Sequence, residues 1–271
     1  MTHPKHILEQ YGLEPKQSLG QNFLADDNLL ARIVDAAEVT EEDNVLEIGP
    51  GLGALTHHLA RRAGRVVAVE LDDRFIPILQ AEMAPCDNVT IVHGDILEQD
   101  PAGWFGEEPY KVVANVPYYI TGAILRHLLE GAGKPEVMVL TVQKEVAERI
   151  TADPGDMGLL AVSVRFYGTA EKVDTIKAGA FWPRPDVDSA ILRVDLREGP
   201  HLPLAEEDAF FRIARAGFSQ RRKQLQKNLR GLGYRRKEIM GLLQKAGVDG
   251  RRRAETLSME EWMAVYRVLR D

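Results

Sequence analysis

A single cysteine, Cys86, stands among 271 residues, so no disulfide can form within the chain. No Cys/His cluster has the spacing of a zinc site, so a reducing compartment fits best and no metal is expected. His57 and His58 are adjacent and would project to different sides of a helix, as surface histidines do. Nothing approaches the length of a membrane span, and the stretch from Met1 to Gly20 is polar, without an apolar segment of signal-peptide length. These absences predict a soluble, cytoplasmic protein with no membrane partner. Repeats and low-complexity tracts are also missing, and 45% hydrophobic with 28% charged residues excludes a wholly disordered or fibrous chain.

An excess of positive charge is lacking too. The formal net charge of −7 argues against a polyanionic partner, because nucleic acid is bound mainly by Lys and Arg. The distribution reverses that argument. From His201 onward sixteen Lys and Arg face nine Asp and Glu, whereas before it eighteen face thirty-two. An acidic body with a basic C-terminal part suits a protein that binds a small molecule in one place and phosphates in another. On charge alone, a solvated basic helix is the simpler reading.

The length allows one large core and a smaller second one. Short β-branched runs recur at Val45–Ile48, Val66–Val69, Val89–Val92, Lys111–Ala114 and Val137–Val142, with helix-length segments between them. That alternation predicts an α/β fold with a parallel sheet covered on both faces. Two later runs, Leu160–Phe166 and Ala190–Leu196, lack a good helical spacer and read as an antiparallel finish to the sheet. Arg197–Pro203 reads as a linker because two prolines and a glycine break both helix and strand. Beyond it the period changes to 3.6, with Phe210, Ile213, Ala214, Gly217 and Phe218 on one face, then Ile239, Leu242, Leu243 and Ala246, then Trp262, Val265, Tyr266 and Leu269. The expected division is a domain over 1–198 and an all-helical domain over 199–271.

The strongest local signal is Glu47-Ile-Gly-Pro-Gly-Leu-Gly53, between the first strand and a helix starting near Ala54. Glycines there let a ligand approach the backbone. Glu70, at the end of the second strand, can accept hydrogen bonds from both hydroxyls of a ribose. Either feature alone could be a tight turn or a strand end. Together, at this spacing, they predict a nucleoside-bearing cofactor. Gly49, Gly51 and Gly53 form G-x-G-x-G rather than the G-x-G-x-x-G of dinucleotide sites, yet nicotinamide dinucleotides use a similar crevice and remain open at this point. After the third strand, Asp95 can take the exocyclic amine of an adenine ring, while Leu71 and Ile96 can clamp its faces. This set resembles class I methyltransferases.

The fourth strand ends in Asn115-Val-Pro-Tyr118, similar to the D/N-P-P-Y signature of enzymes that methylate exocyclic amines. The lone pair of an adenine amino nitrogen is delocalised into the ring. Acceptance of its two hydrogens by the Asn115 side-chain oxygen and the Val116 carbonyl favours a pyramidal, nucleophilic nitrogen. Tyr118 can stack on a base turned out of its helix or loop, and Pro117 stiffens the turn. A proline turn with a buried tyrosine is the alternative for the segment taken alone.

Gly20–Leu24, Glu47–Gly53, Asn115–Tyr119, Gln143–Ala147, Phe181–Ser189 and Phe218–Lys223 together resemble the ribosomal RNA adenine dimethyltransferases, from about Leu19 to the end. The resemblance implies a Rossmann-like class I methyltransferase sheet with a small C-terminal all-helical domain, S-adenosylmethionine as cofactor, and dimethylation of adenine N6. The implied target lies near the 3′ end of small-subunit ribosomal RNA, in a partly assembled particle. It also implies that the Gln-Asn-Phe-Leu segment closes over the cofactor, adding Asn22 and Leu24 to the binding positions. Val116 stands where leucine is usual, and Asp186 where a lysine is common. Phe181 and Trp182 fit either the target-base side or core packing. Arg221, Arg222, Lys223 and Lys227 begin the densest basic run, followed by Arg230, Arg235, Arg236 and Lys237, with Arg251–Arg253 on a later loop; they read as an RNA track or as solvated helix faces. A large-subunit dimethylase that confers antibiotic resistance, and a non-catalytic RNA-binding relative, are the alternatives. Phe218–Lys223 and Arg253–Leu257 lean toward the small-subunit type, and intact Glu70, Asp95 and Asn115–Tyr118 toward catalysis.

Overall fold

The computed structural model describes residues 2–131, 133–197 and 202–270, so the centre of the expected linker, 198–201, lies outside the described residues. In chain order the strands are β1 (Phe23–Leu24), β2 (Asn44–Ile48), β3 (Arg65–Glu70), β4 (Val89–His93), β5 (Tyr110–Asn115), β6 (Val137–Gln143), β7 (Gly168–Ile176), β8 (Phe181–Trp182) and β9 (Ser189–Leu196). Among the described residues, seven of them form one sheet in the order β4-β3-β2-β5-β6-β9-β7. β2, β3, β4, β5 and β6 pair in parallel, and β9 runs antiparallel to β6 with Leu140 opposite Leu192. β1 and β8 form a separate antiparallel ribbon, Phe23 opposite Trp182 and Leu24 opposite Phe181.

Successive residues Val66, Val67, Ala68 and Val69 are all buried, so both faces of β3 are covered, as crossover helices on a parallel sheet require. On one side, Leu30, Ile33 and Val34 of the helix Asp27–Ala36 pack with Leu55 and Leu59 and with strand residues Val45, Val113, Val139 and Ile191. Asp26 caps that helix by accepting from the backbone N–H groups of Asn28 and Leu29. A second cluster joins Leu8 of the helix Pro4–Gln10 to Leu52, Phe75, Ile78 and Leu79.

The chain steps outward from β2 to β3 to β4, then returns to the other side of β2 as β5. The order reverses between β2 and β5, and a crevice opens beyond their carboxyl ends at such a switch point. That reversal places the Glu47–Gly53 turn beside the Asn115–Tyr118 segment.

By internal contact the chain separates into two compact units, one of Met1–Ala147 with Ala170–Leu196, the other of Glu148–Thr169 with Arg197–Asp271. The second unit therefore reaches back into the region assigned above to the first. Leu160–Phe166 is also not a strand: Leu159–Tyr167 is a helix, and the outer strand is β7. A short apolar run has no periodicity to separate a buried strand from a buried helix. Here Ala161, Val162, Val164 and Phe166 are all buried, which a helix attains when other helices surround it. Phe166 stacks on Phe210 at 4.6 Å and meets Phe211 edge-on at 5.0 Å. Ser163 satisfies its hydroxyl within the helix, on Leu159 O at 3.0 Å. The rest of the unit comprises the helices Leu204–Gly217, Leu225–Leu229, Arg236–Lys245 and Met259–Leu269.

Candidate active site

The turn after β2 depends on its glycines. Gly49, Gly51 and Gly53 all have positive φ, at 68°, 58° and 85°. A Cβ on Gly51 would also approach the Phe23 ring to 3.1 Å, whereas one on Gly49 would project into open space. Gly51 N–H donates to Glu70 Oε2 at 2.9 Å, and Asp72 N–H donates to Glu70 Oε1 at 2.7 Å. Two backbone donors thus orient the carboxylate at the end of β3, although burial raises its pKa. Glu47 is more deeply buried. Its Oε2 has no hydrogen-bond partner in the protein, and burial with the nearby charge of Glu70 pushes its pKa up to about 8.

One cavity is lined by Asn22, Leu24, Gly49, Gly51, Glu70, Leu71, Asp95, Ile96, Asn115, Val116, Pro117 and Tyr118, all expected at the site. Gly53 does not line it; it precedes the helix Ala54–Ala60 and lies against Met83 and Leu79. Leu71 is 45% exposed, an apolar side chain kept at the cavity rather than in the core. Asp95 uses Oδ1 to accept from Leu97 N–H at 2.9 Å, which fixes its side chain.

Asn115 Nδ2 donates to the Asn22 carbonyl at 3.2 Å, leaving the side-chain oxygen as the acceptor for whatever enters. Tyr118 and Ser189, a fully buried residue of β9, share a hydrogen bond of 2.6 Å; burial raises the phenol's pKa, so it stays protonated. A neighbouring groove shares Gly20, Gln21, Asn22 and Tyr118 with the cavity and is lined by Trp182, Arg184 and Asp186. Trp182 therefore faces the groove, while Phe181 is 4% exposed and belongs to the core.

Some lining residues had no sequence signal. Ile7 and Tyr11, from the N-terminal helix and its end, line the cavity. Tyr119, which ends the Asn115–Tyr119 motif, also lines it and is 60% exposed. Glu47 stood inside the glycine motif without an assigned part. The open space at Gly49, the oriented Glu70 carboxylate and the unpartnered Glu47 oxygen fit a ligand carrying a ribose and further polar groups. No group of three or more His, Cys, Asp or Glu is placed to hold a metal among the described residues, and none of their helices is long and apolar enough to cross a membrane.

In the second unit, Arg221, Arg222 and Lys223 occupy the exposed turn between Leu204–Gly217 and Leu225–Leu229. Asn228 holds that turn, donating from Nδ2 to Gly217 O and Gln220 O. Gly217 is required there because a Cβ would run into the Trp262 ring. Arg221 pairs with Glu255 at 3.4 Å, whereas Arg222, Lys223 and Lys227 make no ion pair among the described residues.

The family model described as ribosomal RNA adenine dimethylase matches residues 12–271. A protein named ribosomal RNA small subunit methyltransferase A from Dehalococcoides mccartyi is 48% identical over 264 residues, covering 97% of this chain and 91% of that one. The protein of the same name from a Geobacillus species is 44% identical over 98% of this chain and 95% of its own. Among solved structures, the 23S rRNA methyltransferase ErmE matches with a TM-score of 0.75 and 32% identity, over 92% of this chain and all of that one. A dimethyladenosine transferase from Plasmodium falciparum matches with a TM-score of 0.77 and 25% identity, over 90% and 95%. The α/β sheet, the cavity at its switch point and these matches converge on one assignment: the chain belongs to the ribosomal RNA adenine dimethylase family.

Proposed function

We propose that the protein uses S-adenosylmethionine to dimethylate N6 of adenines near the 3′ end of small-subunit ribosomal RNA, acting in the cytoplasm during ribosome biogenesis. The observation that carries this reading is the meeting, in one cavity, of the glycine turn, Glu70, Asp95 and Asn115–Tyr118. Glu70 would hold the ribose and Asp95 the adenine amine of the cofactor, between Leu71 and Ile96. Asn22 and Leu24 would close the near side. S-adenosylmethionine, when bound, supplies a methyl group carried on positively charged sulfur.

The remaining chemistry belongs to the chain. The Asn115 side-chain oxygen and the Val116 carbonyl accept the two hydrogens of the target amine and draw its nitrogen toward a pyramidal form. The interaction strengthens as that nitrogen gains positive charge, which is where binding energy lowers a barrier. Tyr118 stacks on the extruded base, and its hydrogen bond to Ser189 keeps the ring in place. The surplus proton leaves after attack, without a dedicated base.

Arg221, Arg222, Lys223 and Lys227 would contact RNA phosphates. A chain of net charge −7 has little general attraction for RNA and depends on a few well-placed contacts. That favours a partly assembled subunit, which presents phosphates in fixed positions, over naked RNA that must first be ordered. Identities of 48% and 44% to proteins named for the small subunit, against 32% to the 23S enzyme, support the small-subunit target over the resistance type.

The test is to incubate unmethylated small-subunit particles, large-subunit particles and protein-free RNA with labelled S-adenosylmethionine, then map modified nucleosides by mass spectrometry. N6,N6-dimethyladenosine should appear in small-subunit RNA, fastest in particles. Its appearance only in large-subunit RNA would overturn the target, and equal rates on naked RNA would overturn the preference for particles.

A further inference from the structure

Asp72, two residues beyond Glu70, has a side chain with no exposed surface and yet carries a charge. Its Oδ2 accepts from Gln21 Nε2 at 2.8 Å and from Arg74 Nη2 at 2.6 Å; its Oδ1 accepts from Arg74 Nε at 2.8 Å, and Lys16 Nζ lies 3.5 Å away. Arg74 holds this carboxyl well below the usual carboxylate range. Such satisfaction of a buried charge is costly to assemble unless the groups it gathers must stay together.

Besides Arg74, the gathered groups, Lys16 and Gln21, belong to the segment that precedes β1. Gln21 is fixed at both ends of its amide, because its Oε1 accepts from Lys16 N–H at 2.7 Å. Arg74 also reaches back to the Glu14 carbonyl at 3.3 Å. The next residue, Asn22, offers its carbonyl to Asn115 Nδ2. Gly20 passes so close to the Asn115–Tyr118 segment that a Cβ there would lie 3.3 Å from Pro117 Cβ. A continuous path of polar contacts therefore runs from Arg74 through Asp72, Gln21 and the Asn22 backbone to the side-chain nitrogen of Asn115.

We propose that Asp72 and Gln21 are positioning residues for methyl transfer: they pin the 14–22 segment so that the Asn22 carbonyl captures the Asn115 amide nitrogen and commits its oxygen to the target amine. The inference rests on Asn115 acting on that amine. An amide turned over would present a donor to a donor, so holding one orientation matters for chemistry and little for RNA affinity. Asp72 N–H also donates to Glu70, so one short turn orients both the ribose carboxylate and the anchor of the segment.

Gln21→Met cuts the path while leaving Asp72 paired with Arg74. It should slow single-turnover methyl transfer at saturating RNA roughly ten- to a hundredfold, as a small misplacement of a reacting group does. In the protein without cofactor, amide exchange over residues 16–24 should speed up, with exchange in the sheet strands unchanged. The discriminating comparison is a double-mutant cycle with Asn115→Ala. If Gln21 acts through Asn115, adding Gln21→Met to Asn115→Ala should slow the reaction no further.

Multiplying losses in the double variant, or a normal rate in Gln21→Met, would overturn the inference while leaving Asn115 in its place. A normal rate in Asn115→Ala would overturn both. Should Gln21→Met fold poorly, Asp72→Asn, which keeps the side-chain shape, carries the same cycle.

Discussion

In the sheet unit the decisive carboxyl groups lie inside. Glu47, Glu70 and Asp72 are all buried, one with an unpartnered oxygen, one held by two backbone N–H groups and one by an arginine and a glutamine. In the helical unit the interior is aromatic, with Phe166, Phe210, Phe218 and Trp262 stacked in pairs, and the dense positive charge of Arg221–Lys223 lies in solvent. A buried carboxyl group is worth its desolvation where it must meet a ligand, or hold a segment of the site, in one geometry. An exposed cation needs no fixed partner, because its attraction for phosphate acts over several ångströms and tolerates movement. Changes in the first unit should therefore alter chemistry or cofactor binding, and changes in the second RNA affinity alone.

The largest effect should come from Asn115→Ala. Loss of one acceptor in a preorganised site lowers single-turnover transfer by about a hundred- to a thousandfold. RNA affinity, read from filter binding, should stay within a few-fold. A comparable loss in both would erase the contrast between the units.

Glu47 sharpens the comparison through pH. Its folded-state pKa of about 8 lies above the ordinary value of 4.5, so the folded protein holds a proton that the unfolded chain releases. The stability tied to that proton is present in full below 4.5 and is lost as pH rises to about 8. In the cofactor-free protein the unfolding free energy, read from denaturant titration, should fall across this window by an amount on the order of a few kcal/mol. Glu47→Gln should flatten that part of the profile, and an unchanged slope would remove the buried proton from the account.

Glu70→Ala should weaken S-adenosylmethionine roughly ten- to a hundredfold by calorimetry, corresponding to about 1.5–3 kcal/mol for hydrogen bonds to a charged group. It should leave RNA binding alone. In the helical unit the effects are smaller and of another kind. Arg222→Ala and Lys223→Ala should each reduce the salt slope of RNA binding by about one. Arg221→Ala should change it less, because Arg221 already shares its charge with Glu255. Equal slopes for all three would show that the pairing does not matter.

The signals that the sequence carries differ between the units in the same way. Gly49, Gly51, Glu70, Asp95 and Asn115–Tyr118 carry local signals, because each sits at a strand end whose position the alternation of strands and helices dictates. The structure brings them to one cavity. The contacts that orient them are not local. Gln21 and Asp72 are 51 residues apart, Tyr118 and Ser189 are 71 apart, and Asn22 and Asn115 are 93 apart, so no short window of sequence contains any of the three pairs. In the helical unit, Phe210 and Trp262 announce amphipathic helices by their period, but in Leu159–Tyr167 the polar Ser163 and Arg165 stand two apart among apolar residues, the spacing of a strand, so the run reads as one. The basic turn could be read as charge, without the Asn228 bonds that shape it.

The division of labour between the units is tested most directly by the dependence of the single-turnover rate on RNA concentration in a variant carrying Arg222→Ala, Lys223→Ala and Lys227→Ala. The curve should be displaced to higher RNA concentration and reach the wild-type plateau. A plateau that stays low at saturating RNA would contradict that division, placing the exposed cations in the chemical step.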